Sequence, residues 1–465
     1  MESLVSPLPE QPLSPLDGRY RAAVAGLGEH LSEAGLNRAR VHVEVEWLLY
    51  LTDHEFFGSR RLDAEQARSL RQVAADFGQA DIDELAALEA TTRHDVKAVE
   101  YYVRKRLEEL GLTDVAELTH FACTSEDVNN LSYALTIHAA VQDVWLPKIR
   151  AVIDALYERA VSHRADAMLA HTHGQPATPT TVGKEFAVFV NRLRRILAQV
   201  QSTQYLGKFS GATGTFAAHV AADPSRDWPA ISREFVTSLG LDWNPLTTQI
   251  EPHDWQAELY QRISHANRVL HNLCTDVWTY ISMGYFTQIP QAGTTGSSTM
   301  PHKINPIRFE NAEANLELSS ALLDSLAATL VTSRLQRDLT DSTTQRNIGV
   351  ALGHSVLALD NILRGLGEIA VNTVRLAEDL DSNWEILGEA IQTVIRAEVT
   401  AGRSSIADPY AMLKELTRGK RVGQAELIAF VQALDIGQAA KARLVALTPT
   451  GYAGLASDLV DYAAE

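Results

Sequence analysis

From Asp254 to Met283 the chain runs without a glycine or a proline. Trp255, Leu259, Ile263, Ala266, Leu270, Cys274, Val277 and Ile281 recur at three- or four-residue steps and make one apolar stripe. That period predicts a single helix, roughly 45 Å long. Such a helix needs partners along its whole length. Four more amphipathic runs share the pattern. Phe186, Phe189, Leu193, Ile196, Leu197 and Val200 follow the start signal Thr178-Pro-Thr-Thr. Another run opens at Thr124-Ser-Glu-Asp127, a capping-box-like turn. It heads toward Pro147, which predicts a kink or a break. A fourth runs from about Glu310 through Leu322, Leu326 and Leu330, and a fifth from about Thr344 through Leu352, Val356, Leu359 and Leu363. Long helices between about residues 125 and 370 predict a helical bundle and an all-α fold.

Strand signal is sparse. Val41, Val43 and Val45 alternate, but Trp47-Leu-Leu-Tyr-Leu51 carries the apolar run past a strand's usual length, so helix is predicted there too. At 465 residues the chain is too long for one ordinary domain. Residues 1–114 read as an N-terminal helical domain. Residues 115–370 read as the long-helix domain, with a polar loop at 290–306. Residues 371–465 read as a C-terminal helical domain with a basic cluster, Arg418-Gly-Lys-Arg421.

The balance of 41 Lys+Arg against 58 Asp+Glu gives a net charge of −17 and argues against a nucleic-acid partner. It leaves room for a locally basic pocket that takes a small anion. Cys123 and Cys274 are the only cysteines, so no disulfide framework is expected and a reducing, cytoplasmic setting fits. The first residues carry neither a basic start nor a long apolar run, so no secretory signal is expected. No stretch of about 18 apolar residues suggests a membrane span.

Polar islands interrupt the helical pattern. Gly296-Ser-Ser-Thr-Met-Pro-His-Lys-Ile-Asn-Pro306 packs hydroxyls, a histidine, a lysine and an amide into a glycine-bounded loop, which suits closure over an anion. His171-Thr-His-Gly-Gln-Pro176 places two histidines on a turn at i and i+2, unlike the i, i+4 pair of a helical metal site. They suit acid–base chemistry, or are turn histidines satisfied by backbone. Arg93-His-Asp-Val-Lys97 sets His94 beside Asp95, either an oriented imidazole or an ordinary charged helix turn. Arg337-Asp-Leu-Thr-Asp-Ser-Thr-Thr-Gln-Arg346 offers two forked cations around Ser342, for phosphate or carboxylate recognition or as a solvated helix start. Ser14-Pro-Leu-Asp-Gly-Arg-Tyr20 presents Arg19 and Tyr20 on a turn. No phosphate-binding Walker loop, dinucleotide glycine fingerprint or Gly-x-Ser-x-Gly elbow is present.

Together these islands resemble the fumarase/aspartase superfamily, in the loop Gly296–Pro306 and in Thr172-His-Gly-Gln175. The Pro-His-Lys form of the loop resembles the bacterial adenylosuccinate lyase family, as do Ser14–Tyr20, Thr124–Asp127, Thr247-Thr-Gln-Ile-Glu-Pro-His253 and Gln336-Arg-Asp-Leu-Thr-Asp-Ser342. Fumarases have Gly where His302 stands, and argininosuccinate lyases have Gln. The resemblance implies a three-domain helical subunit whose long helices form the twenty-helix core of a homotetramer, with each active site drawing on three subunits. It implies cleavage of adenylosuccinate to AMP and fumarate, and of succinylaminoimidazole carboxamide ribotide (SAICAR) to its carboxamide (AICAR) and fumarate, in purine synthesis. No metal or organic cofactor is implied.

By the same likeness Ser297 is the base that removes a proton, with Lys303 the nearby cation, and His173 is the acid that protonates the departing nitrogen. His94 orients or assists near the phosphate. Lys303 and Asn305 match holders of the succinyl carboxylates, with Thr124, Ser125, Gln249 and Ser298, and Asn311 lies near that group. Arg19, Tyr20, Arg337, Ser342 and Arg346 match binders of phosphate and of base or ribose, with Asp95 beside His94. Relatives often have Asn where Arg93 stands; Arg93 either adds a phosphate contact or points to solvent. The nearest alternative is another fumarate-releasing lyase such as argininosuccinate lyase, whose substrate has no phosphate for these arginines. A non-catalytic protein on the same fold is the other.

Overall fold

The structure, a computed structural model, describes residues 11–290, 300, 303–417 and 422–464. The basic cluster Arg418–Arg421 lies outside them. Among the described residues strands occur only as three two-stranded pairs, and helices carry the fold. The uninterrupted stripe forms the 29-residue helix Asp254–Ser282. Val182–Gln201, Ile307–Leu330 and Ile348–Gly367 are the other long helices expected from periodicity. The Val41–Leu51 run lies within helix Glu33–Asp53, where Val41, Val43, Val45, Trp47, Leu48, Leu49 and Leu51 are all buried. Burial on every side explains why its valines alternate without making a strand.

One long run is interrupted where expected, and another is divided where one helix was expected. The helix that starts at Ser125 runs to Ala140, opens into a π-helical turn at Val141–Trp145, and resumes as Leu146–Ser162. The Leu146 N–H reaches back five residues to the Val141 carbonyl. This wider turn accommodates Pro147, which has no N–H and whose ring would press on the carbonyl of Asp143. The run expected from Thr344 is divided: Thr340–Gln345 is a separate short helix ahead of Ile348–Gly367. Asp341 Oδ1 accepts the Ser342 N–H at 2.6 Å, and Thr344 Oγ1 donates to the Thr340 carbonyl at 2.8 Å. Such side-chain bonds compete with helix continuation.

The chain forms two compact units. The first comprises Met1–Arg150, Ile196–Arg268 and Ala314–Asp360, the second Ala151–Arg195, Val269–Glu313 and Asn361–Glu465. In the first unit Trp47 packs against Phe209 and Phe235, with ring centroids 4.6 and 4.9 Å away. A buried polar relay crosses its helices. Trp145 Nε1 donates to Ser355 Oγ at 2.9 Å, and Ser355 Oγ donates to Asn267 Oδ1 at 2.8 Å. Asn267 Nδ2 donates to Ser319 Oγ at 3.0 Å, and Ser319 Oγ donates to the Ala351 carbonyl at 2.7 Å. All four side chains are sealed from solvent. Each donor in the relay has an acceptor, so it selects one register among helices whose apolar surfaces alone would tolerate sliding.

In the second unit, strands Ala167–Thr172 and Gln175–Thr181 form an antiparallel hairpin, with Thr172 opposite Gln175. Leu169 is buried in the core made by Leu387, Ile391, Ile395 and Val431 of the C-terminal region. The hairpin is thereby anchored at its base while its tip is exposed. Phe286–Gln288 pairs antiparallel with Ile369–Val371.

The relay makes a checkable stability claim. Ser319→Ala leaves the Asn267 amide without its acceptor, and the cost of an unmet buried donor is about 1–3 kcal/mol. The urea midpoint of the variant is expected to fall accordingly, with an unchanged denaturant slope.

Candidate active site

In the first unit, helix Gln79–Thr92 stops at Arg93, whose φ of 51° is left-handed. Arg93 ends the helix through its backbone, and its side chain is exposed. His94 then caps helix Asp95–Glu109: its Nδ1 accepts the Lys97 N–H at 3.3 Å. In the neutral ring that bond leaves the proton on Nε2. Asp95 Oδ1 accepts the Val96 N–H at 2.9 Å. Burial pushes this carboxyl up, but the Arg40 charge, the Val96 N–H and Arg346 outweigh it and hold it below its ordinary value.

Asp95 belongs to a ring of hydrogen bonds. Its Oδ2 accepts from Arg40 at 2.8 Å and from Arg346 at 3.4 Å. Arg40 Nε donates to Asn129 Oδ1 at 2.9 Å, and Asn129 Nδ2 donates to Glu126 Oε1 at 2.8 Å. Glu126 Oε1 pairs with Arg337 at 2.7 Å. Arg337 donates to Ser342 Oγ at 3.0 Å, and Arg346 donates to the Ser342 carbonyl at 3.0 Å. The ring closes there. On its rim Arg346 Nε meets Glu33 at 2.8 Å, and Asp341 lies 3.8 Å from Arg337. Gln249 Oε1 is a further acceptor for Arg337, at 3.4 Å.

Thr124 and Ser125 sit on the turn beside this ring, held by Asp127. The Asp127 carboxylate accepts the N–H of Thr124 at 2.8 Å and that of Ser210 at 2.8 Å, and pairs with Lys208 Nζ at 2.7 Å. Neither charged side chain has any solvent exposure. Lys208 Nζ also donates to the Gly211 carbonyl at 2.9 Å, and Gln249 Nε2 donates to the next carbonyl, Ala212, at 2.9 Å. Gly214 in this segment passes so close to Thr247 that a Cβ would lie 2.3 Å from its carbonyl oxygen. Arg19 and Tyr20 are on the turn before helix Arg21–Leu31, the guanidinium 5.8 Å from the ring centroid. A cavity of about 1080 Å³ in this unit is lined by Asp17, Arg21, Glu33, Gln345 and Arg346, among others.

The second unit holds His173, Lys303, Asn305 and Asn311. His173 and Gly174 are the two tip residues of the hairpin, with φ of 52° and 71°. Positive φ at both positions is the signature of a type I′ turn, the tip that matches hairpin twist. His173 is exposed there. Lys303 is exposed, and its N–H donates to the Met300 carbonyl at 3.0 Å. Asn305 and Asn311 are half-buried. Gln288 Nε2 donates to the Ile304 carbonyl at 2.5 Å. Ser297, Ser298 and His302 lie outside the described residues. Among the described residues no group of three His, Cys, Asp or Glu is placed to hold a metal ion, and no helix is long and apolar enough to cross a membrane.

Sequence reasoning passed over Arg40, Glu126, Asn129 and a further pair, His120 and Glu44. Arg40 and Glu44 lie four apart, both buried on helix Glu33–Asp53. Glu44 accepts from His120 twice, at the backbone N–H (3.0 Å) and at Nδ1 (2.6 Å). His120 has φ of 56°, a strained value for histidine, four residues before Thr124. The available signal was that histidine four residues ahead of the capping box. Burial pulls its pKa down, but the Glu44 hydrogen bond and the charges of Glu44, Glu100 and Asp127 carry it above its ordinary 6.5. A raised folded value stabilises the fold fully below 6.5, and that contribution is lost as the pH climbs through the raised value. Thermal midpoints of the parent protein are therefore expected to decline as pH rises above that range. His120→Gln should lack this component of the pH dependence, as a matched calorimetric series would show.

A family profile described as a lyase matches residues 18–317, and one described as adenylosuccinate lyase C-terminal matches residues 333–453. The adenylosuccinate lyase of Escherichia coli K12 is 48% identical over 451 residues, 97% of this chain and 98% of that one. That of Haemophilus influenzae is 47% identical over the same shares. Among solved structures, the 3-carboxy-cis,cis-muconate lactonizing enzyme of Pseudomonas putida has a TM-score of 0.73 at 18% identity, over 96% of this chain and 97% of that one. A fumarate lyase of Mesorhizobium has a TM-score of 0.72 at 19% identity, over 94% and 96%. At those identities the structures speak for the fold alone. The sequence relatives go further: this chain belongs to the adenylosuccinate lyase family.

Proposed function

We propose that this protein cleaves the C–N bond of adenylosuccinate to give AMP and fumarate, and that of SAICAR to give AICAR and fumarate. The observation that carries the reading is the closed ring through Ser342, which holds the guanidiniums of Arg337 and Arg346 together, with Arg337 paired to Glu126 just after the Thr124–Ser125 turn. Two forked cations on one serine suit a phosphate. Argininosuccinate, the substrate of the nearest alternative, carries none.

The reaction is a β-elimination. Ser297 removes a proton beside a carboxylate, and the resulting carbanion places extra charge on that carboxylate. Lys303 and Asn305 stabilise it, since donors aimed at developing charge lower the barrier most. The C–N bond then breaks, its electrons leave with nitrogen, and His173 supplies the proton. A serine hydroxyl becomes a base only next to a cation in a water-excluded site, which gives Lys303 a second use. Thr124, Ser125, Gln249, Ser298 and Asn311 hold the succinyl end. Arg19, Tyr20, Arg337, Ser342 and Arg346 hold the nucleotide end, with His94 and Asp95 beside them. The side chains do this without a metal or organic cofactor. The working form is a cytoplasmic homotetramer of three-domain subunits, with a twenty-helix core and active sites shared between subunits.

Ultraviolet absorbance after adding adenylosuccinate tests the reading: a change matched by fumarate release is expected, and none from folded protein would sink it. Ser297→Ala and His173→Ala are each expected to cut turnover by about a thousandfold or more while substrate still binds; near-normal turnover in either would remove that residue's role. Arg19→Ala should raise KM far more than it lowers kcat, the pattern of a lost binding contact.

A further inference from the structure

Arg40 lies on the far side of the ring from Ser342. It is 2% exposed, and its three nitrogens serve three different acceptors: Nε to Asn129 at 2.9 Å, NH1 to Asn37 at 2.9 Å, and NH2 to Asp95 at 2.8 Å. The two ring arginines expected at the nucleotide end, Arg337 and Arg346, are joined on the short side by Ser342 alone. On the long side they are joined through Asp95, Arg40, Asn129 and Glu126. The short side uses one hydroxyl and one carbonyl of a single residue, with Glu33 on Arg346 and Gln249 on Arg337 as rim partners. The long side runs through two carboxylates, a guanidinium and one amide, and Arg40, Asn129 and Glu126 are all buried.

We propose that Arg40 is a positioning residue that sets the spacing and orientation of Arg337 and Arg346 for the nucleotide phosphate, resting on the functional reading above. It touches no reacting atom. Removing its fork frees Asp95, which then swings with Arg346, and frees Asn129, which no longer aligns Glu126 on Arg337. A lysine cannot replace it: one ammonium nitrogen on a flexible stem cannot meet three acceptors fixed in a plane. The succinyl end touches the ring only at its edge, where Gln249 accepts from Arg337 at 3.4 Å, and Asp127 and Ala212 hold Thr124 and Gln249 independently of Arg40, so its binding changes less.

The experiment uses the full-length assembled protein with AMP and fumarate as separate probes, each titrated by calorimetry, alongside steady-state kinetics. In Arg40→Lys the affinity for AMP is expected to drop about tenfold or more, the scale seen when a supporting partner of a binding group is removed. Fumarate affinity is expected to stay within about twofold, and KM for adenylosuccinate to rise more than kcat falls. Asn129→Ala, which cuts one arm and leaves the arginine paired with Asp95, should show the same split more weakly. It serves where Arg40→Lys fails to fold. Unchanged AMP affinity in a folded variant overturns the positioning role, as does equal weakening of AMP and fumarate. If the unmodified protein cleaves adenylosuccinate and Arg337→Ala weakens AMP while Arg40→Lys does not, the functional reading stands and this inference alone falls. Absence of cleavage by the unmodified protein overturns both.

Discussion

An ion pair with no access to solvent holds the floor of the candidate site. Taking Asp127 and Lys208 out of water is costly, and their mutual attraction offsets that cost only when their remaining hydrogen-bonding capacity is met. Here it is. The carboxylate collects N–H groups from Thr124 and Ser210, and the ammonium finds the Gly211 carbonyl. The pair therefore joins a helix start to a distant loop in one arrangement only. Thr124, Ser125 and Gln249 take their places from it, because the same segment also receives the Gln249 amide at Ala212. Losing either charge would leave the other buried and unmatched, so both persist together.

The long helices were legible because their signal is local. A stripe such as Trp255 to Ile281 needs only one period and no breaker. The islands that carry chemistry were legible because loops rich in hydroxyls, histidines and cations stand out against helix. What stayed hidden is long-range. Arg40 and Asn129 are 89 residues apart, and Arg40 and Asp95 are 55 apart. In the sequence Arg40 looks like any charged residue on a helix face, since burial of a charge leaves no periodic trace. Glu44 and Glu126 were overlooked for the same reason. The hairpin around His171 was read only as a turn, and Thr178-Pro-Thr-Thr in its second strand as a helix start; prolines are unusual inside a pairing strand. The strand tolerates them in an isolated two-stranded ribbon, where one edge of each strand is unpaired.

Two kinds of polar burial coexist in the first unit. The relay through Trp145, Ser355, Asn267 and Ser319 is uncharged and linear. The ring through Asp95, Arg40, Glu126, Arg337 and Arg346 is charged and closed. A linear neutral relay fixes helix register at small electrostatic cost. A closed charged ring makes each member's orientation depend on all the others. The first suits a bundle that must not slide, the second a surface that must meet a multiply charged ligand with little rearrangement.

The hairpin tip shows folding and chemistry pulling in different directions. A type I′ turn favours asparagine or glycine at both positions, since a bulky side chain at positive φ is strained. This chain spends the second position on Gly174 and keeps a histidine at the first. The hairpin's base is held by Leu169 in the C-terminal core. Position 173 is thus one where drift toward a better turn former would improve folding and erase the proposed proton donor. Fold stability and activity would rank substitutions there in opposite order.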